Sequence, residues 1–153
     1  MKRRQLLITA AAAMIAGCAP RAVTPSKPTT RLAAPAANPA TGVWPAPYRD
    51  APKAVQTAYR YAAMNSDVLR YIPCFCGCGL SAGHVNNYDC FVKTANPDGS
   101  VILDPHGLGC GTCVAITLEV IAMREQGMAL RAIRAAIDDR WAATGPATKT
   151  PYP

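Results

Sequence analysis

Three things are missing from this sequence, and each removes a class of function. It has no apolar run of the roughly 20 residues that a permanent membrane-spanning helix needs; the longest such stretch, 6–16, is shorter. It has no basic face to hold nucleic acid. Of the 16 Lys and Arg residues, Lys2, Arg3, Arg4, Arg21, Lys27 and Arg31 all lie before residue 32, which leaves ten against nine Asp and Glu from residue 48 onward. The formal charge of +7 therefore belongs to the N-terminal segment, and nucleic acid is not an expected partner. It also has no Ser/His/Asp arrangement, phosphate loop or paired-carboxylate motif. Histidine occurs only at His84 and His106.

The N-terminus has an export pattern. Lys2, Arg3 and Arg4 precede the apolar stretch, which ends in Ile15-Ala16-Gly17-Cys18. That edge resembles a bacterial lipobox, in which small residues suit the peptidase and the cysteine thiol is acylated. The resemblance implies a signal over 1–18, lipidation of Cys18 and a cell-envelope location on the extracytoplasmic side. Two acyl chains give stable membrane anchoring. Arg3-Arg4-Gln5-Leu6-Leu7 also resembles part of a twin-arginine signal, a route that carries folded proteins.

Residues 19–47 are rich in Pro, Ala and Thr and poor in large apolar side chains, which predicts a disordered, semi-rigid tether. One small domain is expected over 48–143, followed by a flexible tail over 144–153. A domain of about 100 residues buries a modest core and often needs disulfides or a metal as staples.

Within that domain the periodicity predicts a mainly α fold. A helix is expected over 51–64, with Pro52 in its first turn and Val55, Ala58, Tyr59 and Ala62 on one face. A short turn is expected through Tyr71, capped within 65–67 and stopped by Pro73. Residues 90–93 and 100–103 flank Asn96-Pro97-Asp98-Gly99 and predict one short β-hairpin. A largely buried helix is expected over 112–126, closed by Gly127 in a left-handed cap. A second helix over 129–141 completes a C-terminal helical hairpin, with Leu130, Ile133, Ile137 and Trp141 on one face.

The chemistry sits in the cysteines. Beyond Cys18 they are Cys74, Cys76, Cys78, Cys90, Cys110 and Cys113. In an extended Cys-x-Cys-x-Cys run alternate side chains point the same way, and Gly77 and Gly79 let the backbone bend so that the sulfurs converge. Convergent thiolates suit a soft metal, with copper and zinc the leading candidates. Cys110-Gly111-Thr112-Cys113 opens a helix, whose N-terminus favours thiolate for metal binding and disulfide exchange alike. With His84 and His106 the six cysteines make eight candidate ligands, enough for two four-coordinate sites or one multinuclear cluster. The same cysteines could form three disulfides. Asp89 and Asp104 flank these segments, where they could orient a histidine or cap a turn.

Pro73-Cys74-Phe75-Cys76-Gly77-Cys78-Gly79, Gly83-His84, Asn87, Asp89-Cys90-Phe91, His106 and Cys110-x-x-Cys113 resemble, in that order, the PCYCGC-motif lipoproteins, a family of unknown function. Phe75 stands where the motif has Tyr. The resemblance covers about residues 50–142 and implies the domain's identity and a lipid anchor. Residues 110–141 are also similar to the thiol-reductase domain of cytochrome c maturation proteins, which implies thiol-disulfide exchange at Cys110 and Cys113. Three functions follow as expectations: an anchored soft-metal-binding protein that meets an envelope partner for metal or thiol exchange, a thiol-disulfide reductase, and a disulfide-stapled interaction module. The first and third are not enzymes.

Overall fold

The structure, a computed structural model, describes residues 36–153. The expected signal, Cys18 and the expected tether as far as residue 35 lie outside the described residues. No helix among those described is long and apolar enough to cross a membrane.

The folded region begins earlier than residue 48. β1 (Ala36–Ala37) pairs antiparallel with β3 (Val101–Leu103), and Asn38 closes a turn onto Val43, its side-chain Oδ1 accepting from the Ala40 N–H at 3.0 Å. Trp44 and Tyr48, the latter on α1 (Ala46–Arg49), are buried. The expectation of a tether through residue 47 is corrected here. Prolines restrict this segment, but two large aromatics and a free sheet edge supply enough burial and pairing to order it.

α2 (Lys53–Met64) starts after Pro52 and buries Ala58, Tyr59 and Ala62, the face expected from periodicity. The small alanines let it lie close against α6 (Gly111–Glu125), its main helical neighbour. α3 (Ser66–Leu69) follows and buries Val68 and Leu69. The hairpin forms from β2 (Val92–Ala95) and β3 (Val101–Leu103) around a turn with Gly99 at φ 80°, and β1 extends it to a three-stranded sheet in the order β1-β3-β2. Its first strand starts two residues later than expected, because Cys90 ends a 3-10 turn, Tyr88–Cys90.

α6 (Gly111–Glu125) and α7 (Leu130–Trp141) form the expected helical pair. Gly127, at φ 77°, donates to the Arg124 carbonyl at 2.9 Å, and Met128 donates to Met123 at 3.0 Å. This is a Schellman cap, which uses glycine because the left-handed backbone penalises a Cβ. The fold is thus mainly α with one small antiparallel sheet.

The last ten residues are packed, which corrects the expected flexible tail. The Thr148 N–H donates to the Cys74 carbonyl at 2.9 Å, and the Thr148 hydroxyl accepts from the Cys74 N–H at 2.9 Å. Arg134, buried on α7, donates to the carbonyls of Tyr71 at 3.0 Å and Pro151 at 2.9 Å, and its guanidinium lies 4.1 Å from the centre of the Tyr152 ring. The segment lacks apolar periodicity, so nothing in its pattern signals order; backbone and threonine hydrogen bonds hold it instead.

Candidate metal centre

All eight expected ligands come together in one place. The cysteine run supplies three. Cys74 is fixed in the buried backbone by Thr148, and Gly77, at φ 83°, turns the chain so that Cys78 opens α4 (Cys78–Ser81). The sulfurs of Cys74, Cys76 and Cys78 lie within 4.8 Å of one another. The bend assigned to Gly77 is therefore present. Gly79 serves differently: a Cβ there would stand 3.2 Å from Thr148 Cγ2, so its smallness admits the C-terminal segment. Phe75, where the motif has Tyr, is buried in the core.

The second contribution comes from α5 (His106–Gly109) and the start of α6. The His106 N–H donates to Asp104 Oδ1 at 2.8 Å, which sets the first turn of α5. Gly107 lies directly on Phe91, where a Cβ would sit 2.6 Å from the ring, so only glycine lets α5 approach this closely. Tyr59 donates to the Asp104 carbonyl at 2.6 Å and stacks edge-on against Phe91 with ring centres 5.0 Å apart. These contacts bring His106 Nε2 to 3.4 Å from Cys76 Sγ. Cys110, extended at the N-cap of α6, places its sulfur 3.0 Å from that of Cys113 in the first turn.

The third contribution is His84 with Cys90. Cys90 Sγ lies 3.6 Å from Cys78 Sγ, and the rings of His84 and His106 meet edge-on with centres 5.0 Å apart. His84 Nε2 faces Asp104 Oδ2 at 3.8 Å, while His84 Nδ1 is buried without a hydrogen-bond partner. A buried nitrogen left bare is costly unless something binds it. Asp104 thus serves both histidines, whereas Asp89 accepts from the Val85 N–H at 2.9 Å and holds a turn.

Two four-ligand sets emerge. Cys76, His106, Cys110 and Cys113 form one; Cys78, His84, Cys90 and His106 form the other. They share His106. Cys74 ties them together, grouped with Cys90 and Cys113 and lying 3.3 Å from Cys113 by sulfur. In each set the ligand atoms lie within 4.8 Å of one another. Tetrahedral thiolates at about 2.3 Å from a zinc ion have sulfur–sulfur edges of about 3.8 Å, so opening of the 3.0 to 3.6 Å sulfur contacts within the two sets accommodates a metal.

All six described cysteines are free. The three-disulfide framework is thereby corrected. Cys113 Sγ has three sulfur neighbours, at 3.0, 3.3 and 3.5 Å, a shared network instead of separated pairs. The crowding also divides the protons. The hydrogen bond from Cys113 chiefly brings the Cys74 thiol down to about 7, and the same contact pushes Cys113 up. Burial, then the neighbouring Cys74 sulfur, pushes Cys76 up.

Behind Cys113 lies a polar pair that the sequence pattern does not single out as functional. Thr117, buried on α6, donates to Asn87 Oδ1 at 2.6 Å, and Asn87 Nδ2 donates to the Cys113 carbonyl at 3.3 Å. The available signals are the place of Asn87 among the motif residues and a lone threonine one helical turn after Cys113 in an otherwise apolar stretch.

Comparison with known proteins bears on identity alone. The comparison with curated proteins found no match, and neither did that with solved structures. The resemblance of residues 110–141 to a thiol-reductase domain is therefore without support. A family model described as a protein of unknown function with PCYCGC motif matches residues 8–153, which include every cysteine and histidine of the centre. The chain belongs to the PCYCGC family.

Proposed function

We propose that this chain is a lipid-anchored envelope protein whose Cys/His centre binds a soft transition metal, copper or zinc, for handling or delivery to an envelope partner. One observation carries the metal reading: ligands from five separate segments converge as unbridged thiols and imidazoles in a largely buried cluster, with His84 Nδ1 unpartnered. Six thiols and two histidines gathered without bridging have no better structural use, since apolar side chains would pack the same space at less cost. The anchor at Cys18 rests on the lipobox-like sequence.

The test is metal content and free-thiol count on protein taken from its native envelope and purified without chelator. Stoichiometric copper or zinc with protected thiolates is expected. Three stable disulfides and no metal would overturn the reading. Mass spectrometry of the N-terminal peptide tests the anchor: a diacylglyceryl-modified Cys18 is expected, and an unmodified Cys18 sinks it.

Cys110 and Cys113 support a second reading, redox exchange, because theirs is the shortest sulfur contact in the cluster, at 3.0 Å at a helix N-terminus. That reading requires a reduction potential among those of catalytic exchangers and loss of exchange in Cys110→Ser.

A further inference from the structure

Resting on the metal reading, we infer that metal enters and leaves the centre through one glycine-flanked mouth, with Cys110 as the first thiolate to engage an incoming thiolate-bound ion. Cys74, Cys78, Cys90 and Cys113 have no exposed surface, whereas Cys76 and Cys110 are partly exposed. Those two thiols line one open depression together with Gly77, Gly109, Gly111 and Gly145. No charged side chain lines it, so a carrier is selected there by its soft-metal chemistry and not by charge.

The glycines carry the argument, because they fall into two kinds. Gly77 is required by its left-handed backbone, and Gly145 by the Phe75 carbonyl, which a Cβ would approach to 2.6 Å. Gly109 and Gly111 have neither reason. Their backbones are not left-handed, and a Cβ on either would meet nothing within 4 Å. Gly111 is moreover the first residue of α6, where glycine is less favourable than alanine. Nothing among the described residues uses their smallness. Both flank Cys110, and what they leave bare is the approach to its sulfur.

Transfer there is ligand exchange without redox change. The Cys110 thiol gives its proton to solvent and forms a sulfur–metal bond. One carrier sulfur–metal bond breaks, and the released thiolate takes up a proton. Cys76, His106 and Cys113 complete the first set, and the shared His106 and Cys74 lead on to the deeper one.

The test is stopped-flow loading from a Cu(I)–glutathione complex and removal by bicinchoninate, comparing the full chain with Gly109→Val, Gly111→Val, Gly111→Ala and Ala82→Leu. Ala82 lines a separate cleft beside His84 and controls for a route from that side. In the two valine variants both rates are expected to fall by about tenfold, a range ordinary for contact-surface changes, with copper stoichiometry unchanged. Gly111→Ala is expected to slow exchange less, while its thermal midpoint holds or rises. Unchanged rates in both valine variants, or slowing confined to Ala82→Leu, overturns the route while leaving metal binding intact. Failure of the unmodified chain to take up Cu(I) overturns the Cu(I) reading and this route with it.

Discussion

The two ligand sets differ in surroundings more than in composition. The first, Cys76-His106-Cys110-Cys113, reaches the surface through two partly exposed thiols beside glycines. The second, Cys78-His84-Cys90-His106, has both thiols fully buried and His84 facing Asp104 at 3.8 Å. Exposed soft ligands exchange readily; buried ones hold their geometry and release slowly. The contrast suits a centre that takes up metal at one end and retains it at the other, and four changes test how far that division goes.

His106→Ala should have the largest effect, because His106 alone is common to both sets. Cu(I) affinity, measured by chelator competition, should fall on the order of a hundredfold or more, with lower stoichiometry. If His106→Ala affects only the exposed set, the sets do not share a ligand in solution. Asp104→Asn comes next. It weakens the contact with His84, and an affinity loss of about tenfold is expected for the buried set only. Equal loss at both sets would instead assign Asp104 to the backbone of His106, through its bond to that N–H.

Thr117→Val should act on stability before it acts on metal. It removes the donor to buried Asn87 Oδ1, and the metal-free domain should lose about 1–3 kcal/mol in urea unfolding. An unchanged midpoint would place Asn87 and Thr117 outside the support of Cys113.

The smallest expected effect is on pH dependence. Cys76 and Cys113 are raised above the ordinary thiol value of 9.0, and burial chiefly raises Tyr59 above 10.0. Groups raised in the folded state contribute stability that is fully present below the unfolded value and lost above it. Cys74 acts in reverse: lowered to about 7, it contributes stability present above pH 9.0 that is lost as pH falls through about 7. With three raised thiols, Cys76, Cys90 and Cys113, and a raised tyrosine against the lowered Cys74 and Cys78, the metal-free domain should weaken above about pH 9. Metal-loaded protein should keep the thiol share through that range, since bound thiolates no longer titrate. Identical alkaline profiles for the two forms would mean that the thiols are not the ligands.

Much of the fold was legible in the sequence because local physics decides it. The apolar face of α2, the turn chemistry at 96–99 and the glycine cap at Gly127 depend on a few neighbouring residues, and all three form. What the local pattern does not carry depends on distant partners. Trp44 orders a proline-rich segment only because a core is there to receive it. The C-terminal segment is held by Arg134 and by the Cys74 backbone, and neither is its neighbour in sequence.

The same division runs through the centre. The sequence by itself determined the candidate ligand types, their number and the glycine bend within the cysteine run, because those follow from residue identity and short spacing. It left metal, disulfide and redox uses open, since six thiols serve any of them. Only the tertiary structure decided that Cys74, near the start of the motif, meets Cys113 on α6, that one histidine serves two sets, and that two glycines beside Cys110 have no internal purpose. Those are long-range facts. They depend on how α2, α6 and the C-terminal strap pack together, and no spacing along the chain encodes them.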